Sequence, residues 1–277
     1  MKRRLYLYGL VLVFIVCFPL VIFYANGYRF KSGIGFVRTG SIIVTVSGSD
    51  AVVSLDGEEI GSSGFLRHNF YVDNLTPASY EVLVTHEGDH PWHRTLEVEQ
   101  ELVTDAQAFL VPLEITSVRL VDASKVASSS VATTTNAVTH LTYESYRTAF
   151  SASNATSTLI LALHTPASEV LALGNGNVYA QWTDTDTPPP SRFCLRPSLC
   201  SVQIPIEVGK QQAINAEFFG GGVVYTTKEG GIFLSEIDIR PEPVMVQLYP
   251  VRGADFRVVG GHLIVKDGST LYEITGL

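Results

Sequence analysis

The sequence is short of charge. Only 17% of its 277 residues are Asp, Glu, Lys or Arg, against about 25% in an average globular chain. The balance is acidic, with 19 basic and 27 acidic side chains and a net charge of −8. Without a basic face, nothing is available to neutralise a phosphate backbone, which argues against a nucleic-acid partner. Nucleophile and phosphate motifs are also missing: there is no G-x-S-x-G, no H-E-x-x-H and no Walker loop. No cofactor is expected. Cysteine is scarce, with three in the chain. A zinc site built on two of them, Cys194 and Cys200, would need two further ligands, and no nearby His or Cys supplies them.

What charge there is leaves one long gap near the N-terminus. Residues 5–24, LYLYGLVLVFIVCFPLVIFY, run for twenty positions without a charge, about the length that crosses ~30 Å of hydrocarbon as a helix. Tyr6, Tyr8 and Tyr24 sit near its ends, where amphipathic rings favour the membrane interface. Pro19 would kink a soluble helix but is tolerated in a membrane one. A cleaved signal peptide is the rival reading. Its apolar core is normally ~7–15 residues long and ends in a small-x-small site. Here the run is longer, and Phe23 would occupy the −3 position of a cut after Ala25. The expectation is an uncleaved, single-pass helix over 5–24, a cytoplasmic stub over 1–4 and a linker over 25–40. Basic residues flank the span on both sides, Lys2, Arg3 and Arg4 before it and Arg29, Lys31 and Arg38 after it. The positive-inside rule therefore favours a cytoplasmic N-terminus only slightly.

The cysteines bear on the compartment. Cys17 lies within the apolar run and reads as a small apolar residue. Cys194 and Cys200 bracket the loop CLRPSLC directly after three prolines. Their spacing suits a local disulfide, with two free thiols as the alternative. A disulfide would place the body in an oxidising compartment, outside the cytoplasm.

The body is rich in Ser, Thr, Val and Gly, residues that favour strands and turns over helices. From Ser41 apolar and polar residues alternate: SIIVTV, then AVVSL, then an Asp56-Gly57 turn signal. Further strands follow at 80–85 and 92–97, with Val82 and Val84 on one face and Leu96 and Val98 continuing it. This predicts a small β-sandwich over 41–113 without a helix. Taken in order, Leu55-Asp56-Gly57, Ile60-Gly61, Leu75-Thr76-Pro77, Tyr80-Glu81-Val82, Glu87-Gly88 and Pro91-Trp92 resemble a PEGA domain. Ala78 and Asp89 depart from the family pattern, which usually has Gly and an aromatic at those places. The resemblance implies an envelope-exposed β-module on a membrane anchor, used for binding or scaffolding, with no shared active site to carry over.

Residues 122–137, DASKVASSSVATTTNA, read as a Ser/Thr-rich linker or loop. Beyond them a repeat emerges. Residues 221–237 (GGVVYTTKEGGIFLSEI) and 260–274 (GGHLIVKDGSTLYEI) share a pattern of Gly, apolar strand, Lys-acid-Gly turn and a second strand ending Glu-Ile. A weaker copy begins near Gly176 with NVYAQW, and its turn is replaced by the proline and cysteine loop. A period of ~40 residues suits propeller blades of four short strands. The expectation for 114–277 is thus an all-β repeat domain of about four such units, propeller-like or an open β-meander, with 139–164 as the poorly matching first unit.

Candidate chemistry is sparse. His86, His90 and His93, with Asp89, cluster in THEGDHPWH. A hairpin there could set His86 opposite His93 as a transition-metal pair, or could simply be a solvated tip that holds histidines. Asp184 and Asp186 could bind Ca²⁺ or act as paired carboxylates, which a glycosidase needs at ~5–9.5 Å. The bland alternative is a polar loop before a proline run. Trp92 and Trp182 adjoin turns and could be aromatic platforms for a sugar ring or a protein surface, with core packing as the competing reading, above all for Trp92. Two functional readings compete: a non-catalytic, membrane-anchored extracytoplasmic protein that binds or scaffolds, its partner an envelope glycan or another envelope protein; or an envelope glycan-processing enzyme with converging carboxylates in the repeat domain. A signalling sensor ranks behind both, because a four-residue stub holds no output domain.

Overall fold

The structure, a computed structural model, describes residues 2–25, 27–31, 33, 35–125, 135–151, 168–209 and 211–277. Most of the Ser/Thr-rich stretch and the second half of the expected first repeat, 152–164, lie outside the described residues. The chain begins with a helix, Lys2–Ala25, that contains Pro19. Its 20-residue segment Tyr6–Ala25 is long and apolar enough to cross a membrane, with a mean hydropathy of 2.6, and none of it is buried against the rest of the protein. The region expected to be a linker carries an antiparallel hairpin instead, Tyr28–Lys31 with Gly35–Arg38.

Two sheets then share one core. In the first, Gly40–Val46 lies between Asn69–Leu75, antiparallel, and Val103–Ala108, parallel. In the second, Glu58–Ser62, Val52–Leu55, Ala78–Thr85 and Trp92–Val98 pair antiparallel in that order. The cause is the period-two pattern read from the sequence. Ile42, Val44 and Val46 point inward from one sheet, and Val82, Val84, Trp92 and Leu96 meet them from the other, each less than 2% exposed. Full burial of one such side chain stabilises by about 1.5–3 kcal/mol, and a one-residue slip would turn the whole set to solvent. Asp56-Gly57 forms the expected two-residue turn, with both φ positive at +49° and +80°.

The C-terminal half forms three repeat sheets in chain order, antiparallel but for one edge strand of the third. The first contains Glu169–Gly174, Asn177–Trp182 and Gln203–Ile206. The second contains Ala213–Phe219, Gly222–Thr227, Ile232–Glu236 and Met245–Tyr249. The third contains Asp255–Val259, His262–Asp267 and Thr270–Thr275; Thr116–Asp122 from far upstream pairs with its last strand and carries Thr135–Val138 as a parallel edge strand. One local device explains the repeat seen in the sequence. The opening hairpin of every sheet closes with two residues at positive φ: Asn175-Gly176 (+53°, +80°), Gly220-Gly221 (+57°, +82°) and Gly260-Gly261 (+58°, +83°). This is the type I′ geometry, whose twist matches paired strands and which side chains with a Cβ resist.

The body is mostly β, but not wholly so. Residues expected to start the first repeat form a helix, His140–Ala149. Thr139 caps it, its hydroxyl accepting from the Thr142 N–H at 3.3 Å. Tyr143, Tyr146 and Phe150 fall on one face and pack on Leu120, Ile264 and Leu271 of the third sheet. Helical spacing of three aromatics, rather than strand alternation, decided this segment. Among the described residues three repeat sheets are present rather than four.

Candidate functional site

The two halves are joined at a dry, charged seam that the sequence reading missed. Trp92–Val98 is the edge strand of its sheet, and its alternation turns Trp92, Arg94, Leu96 and Val98 inward. Arg94 is therefore on the apolar side, 1% exposed. It meets the Glu236 carboxylate, approaches Asp238 at 3.7 Å, and donates to the carbonyls of Pro241, at 2.9 Å, and Glu242. Glu236 also accepts from the Trp92 indole N–H and the Val244 backbone N–H, both at 2.9 Å. Asp238 is gripped by Arg240 through Nε at 2.8 Å and Nη2 at 2.7 Å, and Arg240 in turn donates to the Asp105 carbonyl at 3.2 Å. Phe109 and Val244 pack against the cores on both sides of the seam. Trp92 is fully buried, so it offers no platform to a ligand. Its role is that of a seam residue, as the core-packing alternative had it.

A second bridge lies at the cysteine loop. Cys194 and Cys200 are joined in a disulfide, and the hairpin it closes rests on Glu99 of the sandwich. Ser198 donates to Glu99 through its N–H at 2.8 Å and its hydroxyl at 2.6 Å. The Ser198 hydrogen bonds hold the Glu99 carboxyl below its ordinary pKa, aided by Arg196. Beside this loop, Trp182 is half-buried against Val178, Ile204 and Phe193. Its indole N–H donates to the Thr187 carbonyl at 3.0 Å. Asp184 turns both oxygens onto its own loop, to the Asp186 N–H at 2.8 Å and the Thr187 hydroxyl at 2.7 Å. The Thr187 hydroxyl and the Asp186 N–H lower its pKa. Asp184 therefore shapes a turn, while Asp186 is exposed beside it. That geometry suits a rigid rim next to Trp182 better than a pair of reacting carboxylates.

The histidines do not converge. The register pairs Val84 with Trp92 and Leu83 with His93, because Val84 and Trp92 must both face the core. His93 thus stands opposite Leu83 on the outer face. His86 instead binds Asp89 at 2.8 Å within its own turn, and His90 pairs with Val111. Among the described residues no group of three or more His, Cys, Asp or Glu side chains is placed to hold a metal. The seam could have been suspected from two signals: an Arg in the inward register of a strand otherwise occupied by Trp92, Leu96 and Val98, and the alternation Glu236-Ile237-Asp238-Ile239-Arg240 after a buried strand.

A further groove of about 290 Å³ is lined by Arg119, Leu120, Asp122, Lys125, Tyr143 and Thr270. Asp122 receives His140 Nδ1 at 2.6 Å and Ser124 through its hydroxyl at 2.7 Å and its N–H at 3.0 Å. These bonds, the His140 bond first, hold its pKa down to about 2. Ser124 donates its hydroxyl to the carboxylate and not to the imidazole. The cluster fastens the start of the short helix to the third sheet.

No family model matches the chain, and no curated protein matches it. Among solved structures, a protein of unknown function from Bacteroides fragilis NCTC 9343, described as membrane-associated, is similar at 12% identity over 85% of this chain and 93% of that one, with a TM-score of 0.22. A TM-score this low supports no statement about a shared fold.

Proposed function

We propose that this chain is a non-catalytic, membrane-anchored binding or scaffolding protein of the cell envelope, with its N-terminus in the cytoplasm and its body outside. One combination carries the reading: an apolar helix that is long enough to span a bilayer and is not buried in the body, followed by a body that contains a disulfide, a bond that persists in oxidising compartments. The two-sheet module over 41–113 is read as PEGA-like. The three sheets after it are read as an incomplete propeller-like array, supported by their common type I′ hairpins and by the return of Thr116–Asp122 to the last sheet. The buried seam and the Glu99 contact make the modules one rigid arm, as a scaffold requires. The partner is an envelope glycan or another envelope protein, and Trp182 with its Asp184-shaped rim is the contact proposed for it, since a half-buried aromatic beside a fixed polar loop suits a sugar ring.

The test is co-sedimentation of residues 27–277 with purified cell-wall polymer, beside a Trp182→Ala variant. Pelleting of the parent and loss in the variant supports a glycan platform centred on Trp182. If neither pellets, the glycan partner is discarded and crosslinking to envelope proteins follows.

A further inference from the structure

The segment after the membrane helix is built as a contact surface. Its register pairs Phe30 with Phe36 across the hairpin, ring centroids 5.5 Å apart. Both remain open, 70% and 53% exposed. Phe36 also stacks on Phe23 of the helix at 5.8 Å, and Tyr28 meets the same ring edge-on at 5.4 Å. The aromatic face therefore continues the lipid-facing side of the helix without a break. The adjacent residue ties the hairpin down. Arg29 donates to the Tyr24 carbonyl at 3.0 Å and to Asn74 Oδ1 of the sandwich at 2.8 Å, and its guanidinium lies 3.9 Å from the centre of the Tyr24 ring. Arg38 pairs with Glu101 of the sandwich at 3.0 Å. Helix, hairpin and sandwich are thus one connected piece at this end.

We propose that the hairpin Tyr28–Lys31/Gly35–Arg38 is a second membrane contact, lying in the headgroup region with Phe30 and Phe36 at the acyl boundary. It rests on the reading that the helix spans a bilayer. Aromatic side chains favour that interface, and none of the described residues of the body covers the pair. The continuity with Phe23 selects lipid as the occupant: a ring stacked on the last turn of the span lies at the depth where headgroups meet acyl chains. Through Arg29–Asn74 and Arg38–Glu101 the contact would fix the tilt of the body above the membrane.

Phe65 supplies an internal control. It is 91% exposed on the turn before Asn69–Leu75, the strand whose far end meets Arg29. Seven residues at ~3.3 Å each set it roughly 20 Å from the hairpin. Phe30→Trp, Phe36→Trp and Phe65→Trp variants of the full chain would be reconstituted into phosphatidylcholine vesicles with and without bromine at shallow acyl positions, and wild-type fluorescence subtracted. The expected result is a blue-shifted added signal for Phe30→Trp and Phe36→Trp that is lost in brominated vesicles, with the Phe65→Trp signal unchanged. If the first two emit like Phe65→Trp and keep their signal, the hairpin proposal is overturned. Alkaline extraction of the same vesicles separates the causes: a retained chain leaves the span intact and condemns the hairpin alone, whereas a chain that washes off overturns both.

Discussion

Removing the Glu236 carboxylate is the sharpest test of the seam. In Glu236→Ala, the Arg94 guanidinium, with its side chain fully buried, keeps only Asp238 at 3.7 Å and two backbone carbonyls. Breaking a buried ion pair from one side costs about 3–5 kcal/mol. Two more donors, the Trp92 indole and the Val244 N–H, lose their acceptor, each worth about 1–3 kcal/mol when buried. These terms overlap, and Asp238 compensates in part, so the expected loss is about 4 kcal/mol. That is a large share of a typical 5–15 kcal/mol stability. Urea denaturation of residues 27–277 followed by tryptophan emission is the assay, because Trp92 itself sits in the seam. The wild type should unfold in one transition and Glu236→Ala in two, the sandwich separating from the repeat sheets. Replacing both partners, Arg94→Leu with Glu236→Leu, should fall within about 2 kcal/mol of wild type, since an apolar pair avoids the desolvation penalty. A loss below about 1 kcal/mol in Glu236→Ala would refute the argument, because it would mean that water already solvates these charges.

Other outcomes follow from single contacts. Reducing Cys194–Cys200 frees a loop of sequence separation 6, and chain entropy gives a loss of about 2 kcal/mol, measurable as a drop in Tm with reductant that Cys194→Ser/Cys200→Ser does not show. Asp122, whose folded pKa is depressed to about 2, contributes stability that is present above its unfolded value of ~3.9 and lost as pH falls. The Tm gap between wild type and Asp122→Asn should therefore close toward about pH 2. Glu217 moves the other way: burial raises its pKa, so its stabilising share is complete below an unfolded value of ~4.3 and lost as pH rises. Glu217→Gln should accordingly raise Tm at pH 7 and leave it nearly unchanged at pH 4. At Gly40, a Cβ would fall 2.2 Å from the Glu99 carbonyl and 2.9 Å from that of Leu102. Gly40→Ala should cost on the order of 3 kcal/mol in the same urea assay, and a near-neutral result would show that this backbone crossing can yield.

The features that local chemistry controls were the legible ones. A charge-free run, an Asp-Gly turn, alternating Val82 and Val84, and paired glycines at a near-constant period each act within a few residues of themselves, so they can be read along the chain. Trp92 was harder, because a tryptophan beside a turn is compatible with either surface or core, and the choice depended on a glutamate that follows it by 144 positions. The histidines left two readings open for a related reason: their spacing allowed a facing pair, but register is chosen by the apolar residues between them. His140–Ala149 was hidden by an expectation of repetition carried over from better-formed units. Nothing in the residues around Asn74 or Glu101 announces that two arginines just after the apolar helix will reach them.

The return of Thr116–Asp122 to pair with Thr270–Thr275 has a consequence in time. A chain that emerges N-terminus first can complete the sandwich after its first hundred or so residues, but the third repeat sheet cannot close until its last strand has been delivered. Pairing over so long a separation is slow, since the loop entropy must be lost before contacts reward it. Until then Thr116–Asp122 has only the parallel partner Thr135–Val138 on one side, and its other edge is open to wrong partners. Closure of the third sheet therefore waits for Thr270–Thr275, made long after the strand that it pairs with.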